Sequence, residues 1–185
     1  MTINMNHSIN GYHGTARDNL FSILEDGFVV SVNDYDWLGD GVYFFQDAPI
    51  RALMWAKERY GDDAAVIGAD IKIDNCIDLL DTGWSEFLAD VYDKYLERIK
   101  KEGITLPKQS SGAHRLDREV LNYAVSVLEQ KGVVVKSIRA AFIEGSPIFP
   151  NSALFAKSHV QLAVRDLTAI TKTWEETAFV ETPND

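Results

Sequence analysis

Short stretches of alternating apolar and polar residues lie at both ends of this chain, with helical periodicity between them, and this predicts an α+β fold. Three observations carry the reading. Residues 9–13 alternate near the start, and 137–143 and 159–165 alternate near the end. Between them, Trp84, Phe87, Leu88, Val91, Tyr95 and Ile99 trace one face of a long amphipathic helix.

A first strand is expected over 9–13. Thr15 with Asp18 three positions on reads as a capping box opening a helix, followed by Leu20, Ile23 and Leu24 at helical spacing, with Gly27 as its stop. Residues 28–32 read as extended, 33–40 as a polar loop and 42–45 as a strand. Pro49 opens a second helix where a missing N–H costs nothing, and Gly61 closes it. A strand over 65–73 precedes the long helix. A loop with Pro107, Ser110, Ser111 and Gly112 leads to a further helix marked by Leu116, Val120, Tyr123, Ala124, Val127 and Leu128. The two final strands are joined by a loop carrying Gly145, Pro147 and Pro150. One domain is expected over 1–171, with 84–130 as a helical, partly basic elaboration and 172–185 as a loosely held acidic tail.

The chain has 185 residues, 46% hydrophobic and 25% charged, enough for one ordinary core without repeats or low complexity. No run approaches the roughly eighteen apolar residues of a membrane span, and no leader pattern opens the chain. Cys76 is the only cysteine, which excludes an internal disulfide and a thiolate metal cluster. A cytoplasmic protein with no membrane partner and no metal is expected. The net charge of −10 opposes indiscriminate nucleic-acid binding. Residues 94–118 nevertheless hold seven basic against three acidic side chains, a segment of +4 with His114, Tyr92 and Tyr95 in or beside it. It reads either as a solvated surface or as a target-binding one.

Two motifs carry the chemistry. Tyr12-His13-Gly14-Thr15 sets an imidazole beside a glycine whose bare backbone admits close approach, and Gly41-Val42-Tyr43-Phe44 sets a tyrosine on a strand. Strand alternation puts Tyr43 with Phe45 on one face, and His159, Gln161, Ala163 and Arg165 together on another. The chain resembles the ADP-ribosyltransferase superfamily in its diphtheria-toxin and poly(ADP-ribose) polymerase branch, where a His-Tyr-Glu triad holds NAD+. The resemblance spans nearly the whole chain and implies a split β-sheet core with helical insertions.

It also implies roles. His13 would contact a ribose hydroxyl, Gly14 would bind the nicotinamide amide through its backbone, and Thr15 completes that motif. Tyr43 would stack on nicotinamide, with Trp55 as the second wall of the slot. The terminal strand puts Gln161 where the family carries its catalytic glutamate. Glutamine still hydrogen-bonds a ribose but offers no charge and no base, so single transfer is expected rather than polymer elongation. Glu144, ending the preceding strand, is the candidate carboxylate that orients or deprotonates the acceptor. His159 is the candidate for a phosphate or the acceptor.

The expected activity is mono-ADP-ribosylation of RNA, DNA or protein, as in bacterial toxin or phage-defence members, with a cognate antitoxin as a possible partner. A second expectation is an NAD- or ADP-ribose-binding module with impaired catalysis. An NAD+-consuming RNA 2′-phosphotransferase is disfavoured, since no paired basic residues stand out on the core strands.

Overall fold

The computed structural model describes residues 7–33, 36–110 and 113–179. It is a mixed α and β structure in which a large sheet carries helices on both faces. In chain order the elements are β1 Ser8–Ala16, α1 Arg17–Asp26, β2 Val42–Gln46, α2 Pro49–Tyr60, β3 Ala64–Lys72, β4 Cys76–Asp78 and α3 Gly83–Glu102. They continue with β5 Gln109–Ser110, β6 Ala113–His114, α4 Arg115–Glu129, β7 Ser137–Phe142, β8 His159–Val164 and β9 Ile170–Glu175.

The main sheet runs β4-β7-β8-β2-β1-β3-β9, with β4–β7 parallel and the other ladders antiparallel. Its two halves are unequally joined. β1 pairs with β3 along its full length, whereas β1 and β2 share only the pairs Gly11↔Gln46 and Tyr12↔Phe45. Past Tyr12 the two central strands part.

Alternation sorts the sheet into two faces. On one, Ile9, Val42, Phe44, Ile67, Ile71, Leu162 and Val164 form a core with Leu20 of α1 and Phe28. On the other, α2 covers the β1–β3 half through Ala52 against Phe45 and Val66. The α3–α4 pair covers β7 and β8 through Trp84, Leu121, Val125 and Leu128 against Ile138, Ala140 and Ala163. The second face is therefore roofed by α2 on one side and by α3 and α4 on the other, with β2 and β8 between.

Three expectations change. Thr15 does not cap α1: it is buried within β1, pairs with Ala65, and the helix starts after Ala16 with no side-chain cap. The strand outcompetes the capping box because nine consecutive β3 partners hold it. The supposed tail beginning at Lys172 holds instead most of an edge strand, β9, on β3, with Trp174 opposite Gly68. A Cβ on Gly68 would meet the Trp174 ring at 2.2 Å, so the glycine is what lets the indole lie on the sheet. Residues 180–185 lie outside the described residues. Finally, β4 and the paired β5 and β6 are short strands where none was expected. Among the described residues, no helix is long and apolar enough to cross a membrane.

Candidate functional site

The open part of the second face is built from alternate residues of three strands. The pairs Phe45↔Gln161, Ala140↔Gln161 and Phe142↔His159 set these side chains side by side, with Tyr43 one step further along β2. Phe45 packs against His159 at 4.8 Å between centroids, and Phe142 meets His159 at 5.6 Å. The face expected from alternation thus holds Tyr43, His159 and Gln161 together.

Trp37 closes over it from the loop before β2. Its indole N–H donates to the Gln161 carboxamide oxygen, and its ring lies 4.7 Å from Phe142. The loop is held at several points. Tyr43 Oη donates to the Gly39 carbonyl and accepts from Leu38 N–H, both at 2.8 Å. Arg165 Nη1 donates to the Asp40 carbonyl and to Asn122 Oδ1 of α4 at 2.8 Å. Burial, and then the negative Asp36, push the Tyr43 phenol well above its ordinary value, so it is a neutral anchor.

His13 and Tyr43 do not meet side chain to side chain. Tyr12 is the residue opposite Phe45, so His13 falls on the Phe44 face, where its ring packs against Phe28 at 5.3 Å and Phe44 at 5.8 Å. The two motifs touch through the backbone: His13 Nδ1–H donates to the Tyr43 carbonyl at 2.9 Å, just where the strands part. That bond leaves Nε2 as the acceptor nitrogen. Burial lowers the His13 pKa, partly opposed by the Tyr43 carbonyl.

Packing against α2 by itself requires Gly14 to stay bare. A Cβ there would meet the Ala52 carbonyl oxygen at 2.6 Å, Trp55 at 3.0 Å and Ala56 at 3.1 Å. The glycine seats α2 on the sheet, and Trp55 is the ring that lies over it. Arg59 stands 5.6 Å from the Trp55 centroid on the outer side.

Glu144 follows β7, and Arg51 in the first turn of α2 comes to meet it, Nη2 donating to Glu144 Oε2 at 2.6 Å. Arg51 lies 5.0 Å from the Phe45 ring and is buried, while Glu144 is half-buried. Arg51 Nε and Nη1 have no hydrogen-bond partner among the described residues, and neither has His159 Nε2. Each unmade bond of this kind costs about 1–3 kcal/mol, so the cluster is polar beyond what folding requires. His159 Nδ1 donates to the Lys157 carbonyl at 2.7 Å. Burial lowers its pKa, helped by Arg51 and opposed by that carbonyl and Glu144.

The structure therefore brings Glu144, His159, Gln161 and Tyr43 to one face, puts Trp55 over Gly14 beside it, and leaves His13 and Thr15 on the other. Arg51 and Trp37 are the residues sequence reasoning missed. The one available signal for Arg51 was its place on the inward side of α2, beside Ala52 and four positions before Trp55.

Several basic residues of the segment are paired. Arg98 pairs with Glu102, and Arg118 pairs with Asp40 and Glu119. A surface groove of about 550 Å³ lies here, lined among others by Tyr95, Pro107 and Arg118. Of this segment it is His114 that reaches the Gln161 face, packing on Phe142 at 5.6 Å and on Trp37 at 6.3 Å. Compared with models of known protein families and with curated proteins, the chain matches none.

Proposed function

We propose that this chain is an NAD+-dependent mono-ADP-ribosyltransferase acting on a macromolecular acceptor, in the manner of bacterial toxins and phage-defence effectors. The observation that carries the reading is the shared face of Tyr43, Gln161, His159 and Glu144, which runs from the parting of β1 and β2 at Tyr43 to the start of β8 at His159.

In this reading NAD+ lies at the parting of the strands. The bond between C1′ of the nicotinamide ribose and the ring nitrogen breaks, its electron pair leaving with nicotinamide. A nucleophile of the acceptor bonds to C1′, and its proton passes to Glu144. Gln161 holds the ribose 2′-hydroxyl once Trp37 releases it, and as a neutral amide it leaves positioning to supply much of the rate. Tyr43 and Trp55 border the nicotinamide. His13 contributes the tie to the Tyr43 carbonyl that sets the gap between the strands.

Purified protein incubated with labelled NAD+ and a cell extract tests this directly. Release of nicotinamide together with label on RNA, DNA or protein is the expected result, and the labelled fraction names the acceptor class. Absence of both release and label removes the transferase reading. A second reading, an NAD- or ADP-ribose-binding module, is favoured by one observation: Trp37 occupies Gln161. It predicts that NAD+ binds and no nicotinamide is released.

A further inference from the structure

Arg51 is a charged group whose bonding is incomplete. Its side chain is only 9% exposed, yet Nη2 alone has a hydrogen-bond partner, while Nε and Nη1 are buried without one among the described residues. Against the same Phe45 ring, His159 Nε2 is buried and equally unpartnered. Arg51 sits in the first turn of α2, twelve residues long, whose N-cap Ala48 offers no side chain to the free N–H groups there. A helix start favours negative charge. A guanidinium is a planar fork of five donors that matches the oxygens of carboxylates and phosphates in pairs. Glu144 engages a single nitrogen of that fork.

We propose that Arg51 and His159 form a seat for a phosphate group, which the Glu144 carboxylate fills while no ligand is bound. Glu144 is the member free to leave: its side chain is 35% exposed and it lies beyond the end of β7. A phosphate offers enough oxygens to engage the idle Nε and Nη1 as well as Nη2. With Nδ1–H given to the Lys157 carbonyl, neutral His159 presents a lone pair at Nε2. It must take up a proton there to donate to a phosphate oxygen. Arg51, from α2, opposes that proton and Glu144, after β7, favours it. The arriving phosphate takes over the role of Glu144. The seat itself stands on these contacts; for the carrier of the phosphate the inference rests on the transferase reading. That carrier is the pyrophosphate of the dinucleotide or the phosphodiester of a nucleic-acid acceptor.

The test is calorimetric titration of the full chain with inorganic pyrophosphate, ADP-ribose and a short single-stranded RNA, in buffers of different ionisation enthalpy. Binding of pyrophosphate and at least one of the others is expected, with proton uptake near neutral pH that His159→Gln abolishes. Arg51→Gln weakens it by about tenfold or more, and Arg51→Lys nearly as much, because an ammonium lacks the fork. Sensitivity of ADP-ribose alone names the dinucleotide as carrier; sensitivity of RNA names the acceptor. Failure of all three probes to bind, or binding indifferent to folded Arg51 variants, overturns the proposal. If those variants do not fold, Glu144→Gln decides: removing the resident carboxylate should tighten pyrophosphate binding severalfold, and unchanged or weaker binding overturns the seat. Nicotinamide release is measured separately. Arg51-dependent binding without release keeps the seat and removes the transferase reading.

Discussion

The Trp37 indole N–H donates to the carboxamide oxygen of Gln161, joining the loop before β2 to the centre of β8. The loop that carries Trp37 is fastened to the Tyr43 hydroxyl and to Arg165, so Gln161 is covered by a held side chain rather than by a free one. A ligand that takes the Gln161 carboxamide oxygen competes with this indole for it.

Trp37→Phe removes the donor and keeps most of the ring packing on Phe142. The expected outcome is a lower KM for NAD+ with little change in melting temperature, since a net hydrogen bond contributes only about 0.5–1.5 kcal/mol. If the transferase reading holds, Gln161→Glu should raise nicotinamide release severalfold by adding charge beside the developing oxocarbenium. Initial rates decide both. A Gln161→Glu protein no faster than the parent would mean that Gln161 does not face the reacting carbon.

In the transferase reading Tyr43 combines loop anchoring with stacking on nicotinamide, two jobs that substitution can separate. Tyr43→Phe keeps the ring but breaks the bonds to Leu38 N–H and the Gly39 carbonyl. It should lower stability by about 1–2 kcal/mol with NAD+ affinity largely kept. Tyr43→Ala should lose binding altogether. Urea melts and NAD+ titrations together test this, and equal affinity in the alanine variant would sink the stacking role.

Much of this face was legible from a period of two. Alternation alone grouped Tyr43 with Phe45 and His159 with Gln161, and Pro49 and Gly61 marked both ends of α2. What escaped were relations between distant elements. Whether His13 shares a face with Tyr43 depends on the register of β1 against β2, set by tertiary pairing, and a register one residue different would have put them together. Arg51 meeting Glu144 joins residues 93 positions apart. β9 escaped because an exposed edge strand has no apolar alternation to read: Thr171, Lys172 and Glu175 are solvated. β4 is only three residues long.

Gly14→Ala tests the seating of α2. The added methyl group would lie 2.6 Å from the backbone oxygen of Ala52, which a side-chain rotation cannot relieve. The helix must shift, at a cost of about 1–3 kcal/mol. A denaturation midpoint equal to that of the parent would show that the contact is not tight.

His13 and His159 both titrate below the ordinary histidine value of about 6.5, with burial the largest cause in each. The unfolded chain therefore binds their protons more tightly than the folded one. Their contribution to stability is complete above about pH 6.5 and is lost as the pH falls through the folded values. Urea midpoints measured from about pH 7.5 to 5 should decline, and the His13→Gln, His159→Gln double variant should flatten that decline. An identical slope in the double variant would refute the assignment.

Glu144 is where stability and chemistry divide most clearly. Removing its carboxylate strands a buried guanidinium, and breaking a buried pair this way costs about 3–5 kcal/mol. The partial exposure of Glu144 places the effect at the low end or below. Glu144→Gln keeps an oxygen for Arg51 Nη2, so it should fold with a smaller loss than Glu144→Ala. If Glu144 takes the acceptor proton, the two variants should nonetheless share one kinetic defect. Transfer to the macromolecule should fall by about 10²-fold or more, while the slow hydrolysis of NAD+ by water falls much less. The ratio of transfer to hydrolysis, measured from the same labelled NAD+, is independent of how much protein is folded. A ratio unchanged in Glu144→Gln would leave Glu144 as the partner of Arg51 and nothing more.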